Sequence, residues 1–208
     1  MRVSRKLGLT ALTTALLLCV AVGSASARNL STSSQNIRAT WSRLEFTSTF
    51  GMFTIRCQVT LEGSFHAGTI PKVARSLIGA ITRALAKEES CTSGRVHPKI
   101  PPWHLTYEGF TGTLPNMSGI FLLLSRFTFE IMDPGFCTGD YGTATDNISL
   151  RAERSGTEIS RLEFVSSRRS ASRVSGAGSL CPPTVEVVGS EGQVAQLNTT
   201  TRISITLI

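Results

Sequence analysis

The chain has 208 residues, 41% of them hydrophobic, with 21 Lys and Arg against 14 Asp and Glu and a formal charge of +7. That length suffices for one sizeable core, and the cationic surplus permits weak attraction to anionic polymers and points to nothing more specific. Three histidines and three aspartates leave few groups for acid–base chemistry.

Residues 1–27 read as a cleaved secretory signal. Arg2, Arg5 and Lys6 precede the uncharged run "LGLTALTTALLLCVAVG" (7–23), and Ala25-Ser26-Ala27 supplies the small residues a signal peptidase requires. Cys19 follows Leu16, Leu17 and Leu18 rather than a small residue, so it reads as apolar filler and not as a lipidation site. Removing the leader's three basic residues leaves 18 cations against 14 acids, a formal charge of +4. After the leader no run is long enough to span a bilayer as a helix; "GIFLLLS" (119–125) is too short. Residues 28–35 form a polar lead segment, and 36–208 form a single domain.

That domain reads as mainly strand. "NIRATWSRLEF" (36–46) alternates imperfectly, whereas "MFTIRCQVTLEGSFH" (52–66) alternates almost without fault. "WHLTYEGF" (103–110) sends Trp103, Leu105 and Tyr107 one way and His104, Thr106 and Glu108 the other. "IFLLLSRFTFEIM" (120–132), 147–153, 158–166, 184–189 and 201–208 follow, with turn residues between them at 112–116, 133–135 and 181–183. The expectation is an antiparallel β-sandwich, jelly-roll or immunoglobulin-like. The segment "PKVARSLIGAITRALAKEE" (71–89) has a second reading. Val73, Leu77, Ile81 and Leu85 fall four apart and suit an amphipathic helix near 72–88, against which Gly79 counts about 1 kcal/mol.

Four cysteines follow the leader: Cys57, Cys91, Cys137 and Cys181. An even number in an exported chain points to two disulfides, and the spacing suits no zinc ribbon. Pairing of sequence neighbours, Cys57–Cys91 with Cys137–Cys181, is favoured among three possible connectivities. A paired cysteine cannot be a nucleophile.

Cys57, "SLIGAIT" (76–82), Cys91, "PWHLTYEGFTGTLPNMSGI" (102–120) and Cys137 follow one another in an order that resembles uncharacterised secreted proteins of actinobacteria. The resemblance covers about residues 50–140. It implies no activity and carries over no functional residue, and it tilts 76–86 toward strand.

No catalytic constellation emerges. His104 and Glu108 share a parity, but four residues at about 3.3 Å each separate them by about 13 Å. His97 and His104 lack a nearby carboxylate for a metal, so no metal or cofactor is expected. Asp140 and Asp146 with Asn147 offer a calcium loop only without the alternating acids of an EF-hand. Ser64 and His66 lie two apart with no orienting third group. Arg168, Arg169 and Arg173 in "SSRRSASRVSGAGS" (166–179) are weak candidates for contact with a polyanion, without aromatics to stack bases, so no nucleic acid is expected. Asn-x-Ser/Thr sequons begin at Asn29, Asn116, Asn147 and Asn198 and matter only in a glycosylating host.

The expected function is therefore a secreted, non-catalytic binding or structural module, extracellular or held at the cell envelope by a polymer or protein. The rivals are a hydrolase whose site converges only in three dimensions, and an oligomeric envelope β-assembly.

Overall fold

The computed structural model describes residues 29–99, 101–135, 137–143, 147–165, 169–177 and 180–208. Sixteen strands run through these segments. They are β1 (Asn29–Thr32), β2 (Asn36–Ser48), β3 (Thr54–Phe65), β4 (Thr69–Pro71), β5 (Leu77–Lys87) and β6 (Arg95–Pro98). Next come β7 (Trp103–Thr113), β8 (Asn116–Ser125), β9 (Thr128–Asp133), β10 (Cys137–Gly142) and β11 (Ile148–Ser155). The last are β12 (Glu158–Phe164), β13 (Ser170–Ala177), β14 (Thr184–Val188), β15 (Gln193–Gln196) and β16 (Ile205–Leu207). The mainly antiparallel, sandwich-like β fold expected from the alternation is what forms, as one curled sheet with a small sheet β16-β1-β4 beside it.

The curled sheet has the order β12-β11-β8-β7-β5-β3-β2-β14-β13-β10-β9-β6, with β15 also on β2. The long strands β2 and β3 occupy its middle because their alternation is the most sustained: every second residue of β3, from Ile55 to Phe65, is buried. β2 has different partners at its two ends. Residues 37–40 pair β15, and residues 45–48 pair β14.

Each arm of the sheet curls back onto this central ribbon. On one side β12 meets the segment before β15: Leu162 N–H donates to the Gly192 carbonyl at 2.7 Å, and Gly192 N–H returns the bond at 2.9 Å. The ring β12-β11-β8-β7-β5-β3-β2-β15 is thereby closed. On the other side Thr92 N–H, just ahead of β6, donates to the Arg56 carbonyl at 3.0 Å. That loop contact draws β3-β2-β14-β13-β10-β9-β6 round into a second ring, which no strand pairing among the described residues closes. Two β rings thus share β2 and β3, one closed by a β-bridge and one drawn together through a loop, which leaves fewer open edges that invite pairing with other chains.

A row of aromatic side chains joins the two cores. Trp41 packs on Phe164 with ring centroids 5.3 Å apart, Phe127 on Phe129 at 5.1 Å, and Phe129 on Phe46 at 4.8 Å. Such tilted pairs add about 0.5–1.5 kcal/mol each beyond their buried area. Trp103, edge-on to Phe127 at 4.6 Å, gives its indole N–H to the Lys99 carbonyl.

Both disulfides have the favoured pairing, Cys57–Cys91 and Cys137–Cys181. Cys57, on the inward parity of the alternating run 52–66, is a buried staple on β3. It holds the short 3-10 turn Glu88–Ser90 against that strand.

The helix alternative for 72–88 is corrected: Leu77–Lys87 is a strand between β3 and β7. The four-residue stripe does not form a buried face, since Val73, Leu77 and Leu85 are 62%, 48% and 44% exposed while Ile81 is buried. Gly79, awkward in a helix, is required here. A Cβ at that position would lie 2.4 Å from the Ser64 carbonyl oxygen and 3.0 Å from the Phe65 Cα.

Two glycines hold the junction of the rings. A Cβ on Gly192 would sit 2.5 Å from Trp41 Cε2 and 2.7 Å from the Leu162 carbonyl oxygen, and one on Gly189 would sit 2.8 Å from Trp41 Cδ1. Gly192→Ala is therefore expected to lower stability by about 2–4 kcal/mol in urea unfolding. Gly68→Ala, where the new methyl meets nothing within 4 Å, should leave the midpoint within about 0.5 kcal/mol of wild type. Removing the Cys57–Cys91 bridge as a double alanine variant should cost about 3–4 kcal/mol by loop-closure entropy for its 34-residue separation, read from the same midpoints.

Candidate binding face along β2

The outer face of β2 presents Arg38, Thr40, Glu45 and Thr47, and β3 sets Arg56, Thr60 and Glu62 beside them. Hydroxyls pair across the strands, Thr40 with Thr60 and Thr47 with Thr54, each at 3.3 Å. The irregular alternation of 36–46 has a structural cause. Between Trp41 and Leu44 the register shifts, so Ser42 and Arg43 bulge opposite Gln58.

The bulge lies where β15 ends and β14 has not begun, so among the described residues this stretch of β2 has no strand on its far side. A cavity of about 260 Å³ occupies the gap, bounded by Arg43, Glu45, Arg56, Ser190 and Glu191, with Trp41 also in its wall. Arg56 is held by Glu45, its Nε donating to Oε2 at 2.7 Å. Arg43 and Glu191 have no ion pair shorter than 4.0 Å among the described residues. The indole N–H of Trp41 is buried and has no hydrogen-bond acceptor among the described residues, unlike that of Trp103.

A second cavity, about 290 Å³, lies toward the N-terminal end of β2, under the hairpin that follows β15. The hairpin turns through Asn198 in the left-handed region (φ 62°), and Ala195 faces Arg202 across it. Arg38, Arg202, Gln193, Thr200 and Ser160 contribute to its wall. Glu62 accepts two guanidinium groups, Arg38 at 3.4 Å and Arg83 at 3.1 Å. Arg202 makes only a loose 3.7 Å pair with Glu158.

Inside the first ring lies an apolar cavity of about 50 Å³, bordered by Ile37, Leu61, Leu105, Leu150, Leu162 and Val194 among others, with no polar side chain in its wall. An eight-stranded ring has an interior that side chains nearly fill. A void of this size and lining stays dry and is a packing imperfection of the core.

The residues singled out in the sequence are not brought together. His104 faces Ala80 and Ser125 across its neighbouring strands, while Glu108, displaced by a bulge between Tyr107 and Gly109, accepts a bond from Ser149 at 3.1 Å. Ser64 faces Asn36 and Ala80 within the sheet, and His66 lies beyond the end of β3. His97 lies 3.6 Å from Glu88. Among the described residues no group of three or more His, Cys, Asp or Glu side chains is placed to hold a metal. Arg169 is bound to Glu186, its Nε donating at 3.0 Å, and Arg173 gives Nη1 to the Cys181 carbonyl at 2.7 Å. Both guanidiniums are therefore committed within the fold, and Arg168 lies outside the described residues.

Asp140, half of the calcium-loop reading, is engaged by protein groups, and Asp146 lies outside the described residues. Lys99 Nζ is 2.7 Å from its Oδ1, Ser175 donates to Oδ2 at 2.6 Å, and Glu130 stands 3.4 Å from the same ammonium. The Lys99 hydrogen bond, with that of Ser175, holds the Asp140 carboxyl below its ordinary range, and Asp140 in turn raises Lys99. A depressed carboxyl adds stability that is complete above its unfolded value and lost as pH falls through the folded one. Wild-type stability should therefore decline below about pH 4. Asp140→Asn should lower the urea midpoint at pH 7 and narrow its difference from wild type at pH 3.

Comparison with protein-family models, with curated proteins and with solved structures finds no match for this chain.

Proposed function

We propose that the protein is a non-catalytic binding module working outside the cytoplasm, extracellular or at the cell envelope. The observation that carries this reading is the contrast between its two surfaces. The interior of both rings is apolar and two disulfides staple one of them, whereas the outer face of the central ribbon offers guanidinium, hydroxyl and amide groups around two open clefts. Paired cysteines suit an oxidising compartment, which agrees with the leader read at 1–27. No helix of the described residues is long and apolar enough to cross a membrane. Apolar-in and polar-out is also the reverse of a lipid-facing barrel, which weighs against the envelope pore.

The hydrolase alternative would need a nucleophile, a base and an orienting group within hydrogen-bond reach. The described histidines approach no such set. Purified protein mixed with isolated cell envelopes should sediment with them and should turn over no ester, glycoside or peptide. Turnover that is lost in His104→Ala would contradict the reading.

A further inference from the structure

The cleft between β2 and the β15 hairpin has an unbalanced electrostatic design. Three guanidiniums, Arg38, Arg83 and Arg202, share two carboxylates, Glu62 and Glu158. The cleft wall itself contains both Arg38 and Arg202 and no acid. Arg38 is anchored from several sides and yet incompletely satisfied. Its Nη2 reaches Asn198 Oδ1 at a long 3.5 Å, and its buried Nε, 3.4 Å from Glu62, has no well-directed hydrogen bond among the described residues. Ion pairs this long and partly exposed are worth about 0–1 kcal/mol, so an arriving anion can compete for the guanidiniums at small cost. Beside them the Thr200 hydroxyl and the Gln193 amide make no side-chain bond among the described residues.

These groups suit a ligand that carries anionic groups and hydroxyls together. The bulge cavity, where Arg43 and Arg56 are balanced by Glu45 and Glu191 so that hydrogen bonding rather than net charge would hold a ligand, lies on the same outer face of β2, five residues beyond Arg38 and about 16 Å along the strand. The two cavities, about 290 and 260 Å³, would act as successive subsites for an extended chain. Neither has an exposed aromatic ring in its wall, so charge and hydrogen bonding rather than stacking would select the ligand. We propose that this face binds an acidic polysaccharide, with Arg38 and Arg202 holding a carboxylate at the hairpin cleft and Gln193 and Thr200 bonding hydroxyls of the same chain. The proposal rests on the binding-module reading and names the site and ligand class.

The test is titration of the protein with polygalacturonate, with dextran as a neutral chain and polyphosphate as a charged chain lacking hydroxyls. Wild type should bind polygalacturonate and not dextran. Arg38→Gln/Arg202→Gln should weaken that binding about tenfold or more, while the charge-matched Lys87→Gln/Arg95→Gln should leave it unchanged. Arg202, Lys87 and Arg95 are exposed and Arg38 is half-buried, and unchanged melting curves would confirm that each variant folds. Equal losses in the two double variants, no preference over dextran, or binding of polyphosphate alone would each overturn the proposal. If the Arg38/Arg202 variant still sediments with envelopes, the site falls and the module reading stands. If wild type does not sediment, the module reading itself fails.

Discussion

The structure depends on one ribbon serving two rings. β2 and β3 are hydrogen-bonded along nearly their full length, and each end of the ribbon is claimed by a different arm of the sheet. Such an arrangement needs a place where β2 drops one partner before taking another. The bulge at Ser42 and Arg43 is that place, and Trp41 fills the space beneath it against Phe164, Gly189 and Gly192. The glycines are there because the returning chain must pass the indole closer than any Cβ permits. The bulge, the wedge of tryptophan and the two glycines are one device.

The same device shapes the outer surface. Where β15 and β14 part, a gap opens beside the bulge, and where the β15 hairpin folds back, a second cleft forms above β2. Arg38, Thr40, Arg43 and Arg56 in the cleft walls therefore come from β2 and β3, the longest strands among the described residues, whereas Gln193, Thr200 and Arg202 come from β15 and its hairpin. The bridges are distributed unevenly. Both serve the ring that contains β6, β9, β10, β13 and β14, whose strands are short, whereas the ring lined by Leu61, Leu105 and Leu150 relies on apolar packing. Covalent closure is concentrated where burial is least continuous.

The sequence showed the strands because alternation is a local property, and β3 is legible almost residue by residue. It showed the two disulfides through cysteine parity and spacing. It was ambiguous at 71–89, because a stripe four apart fits a helix as well as a strand whose apolar residues lie partly in solvent. The reason for Gly79 is a neighbour, Ser64, fifteen residues away in sequence and in contact only in the sheet. The cleft residues were harder still. Arg38 sits on a strand that was recognised, but Arg202, Gln193 and Thr200 reach it through a hairpin far along the chain. The loop arginines attracted notice by clustering, while the structure commits Arg169 and Arg173 to Glu186 and a backbone carbonyl. The irregular alternation around Trp41-Ser42-Arg43 was the one local sign of the bulge.

Closure of the first ring at Leu162 and Gly192 is what turns a curled sheet into a scaffold and creates both clefts. Native-state hydrogen exchange tests it directly. The amides of Leu162 and Gly192 should be protected to about the same level as those in the centre of β2 and β3, since they open only with the whole fold. Rapid exchange at Leu162 and Gly192 while the β2–β3 amides stay protected would show an open ring and contradict the account.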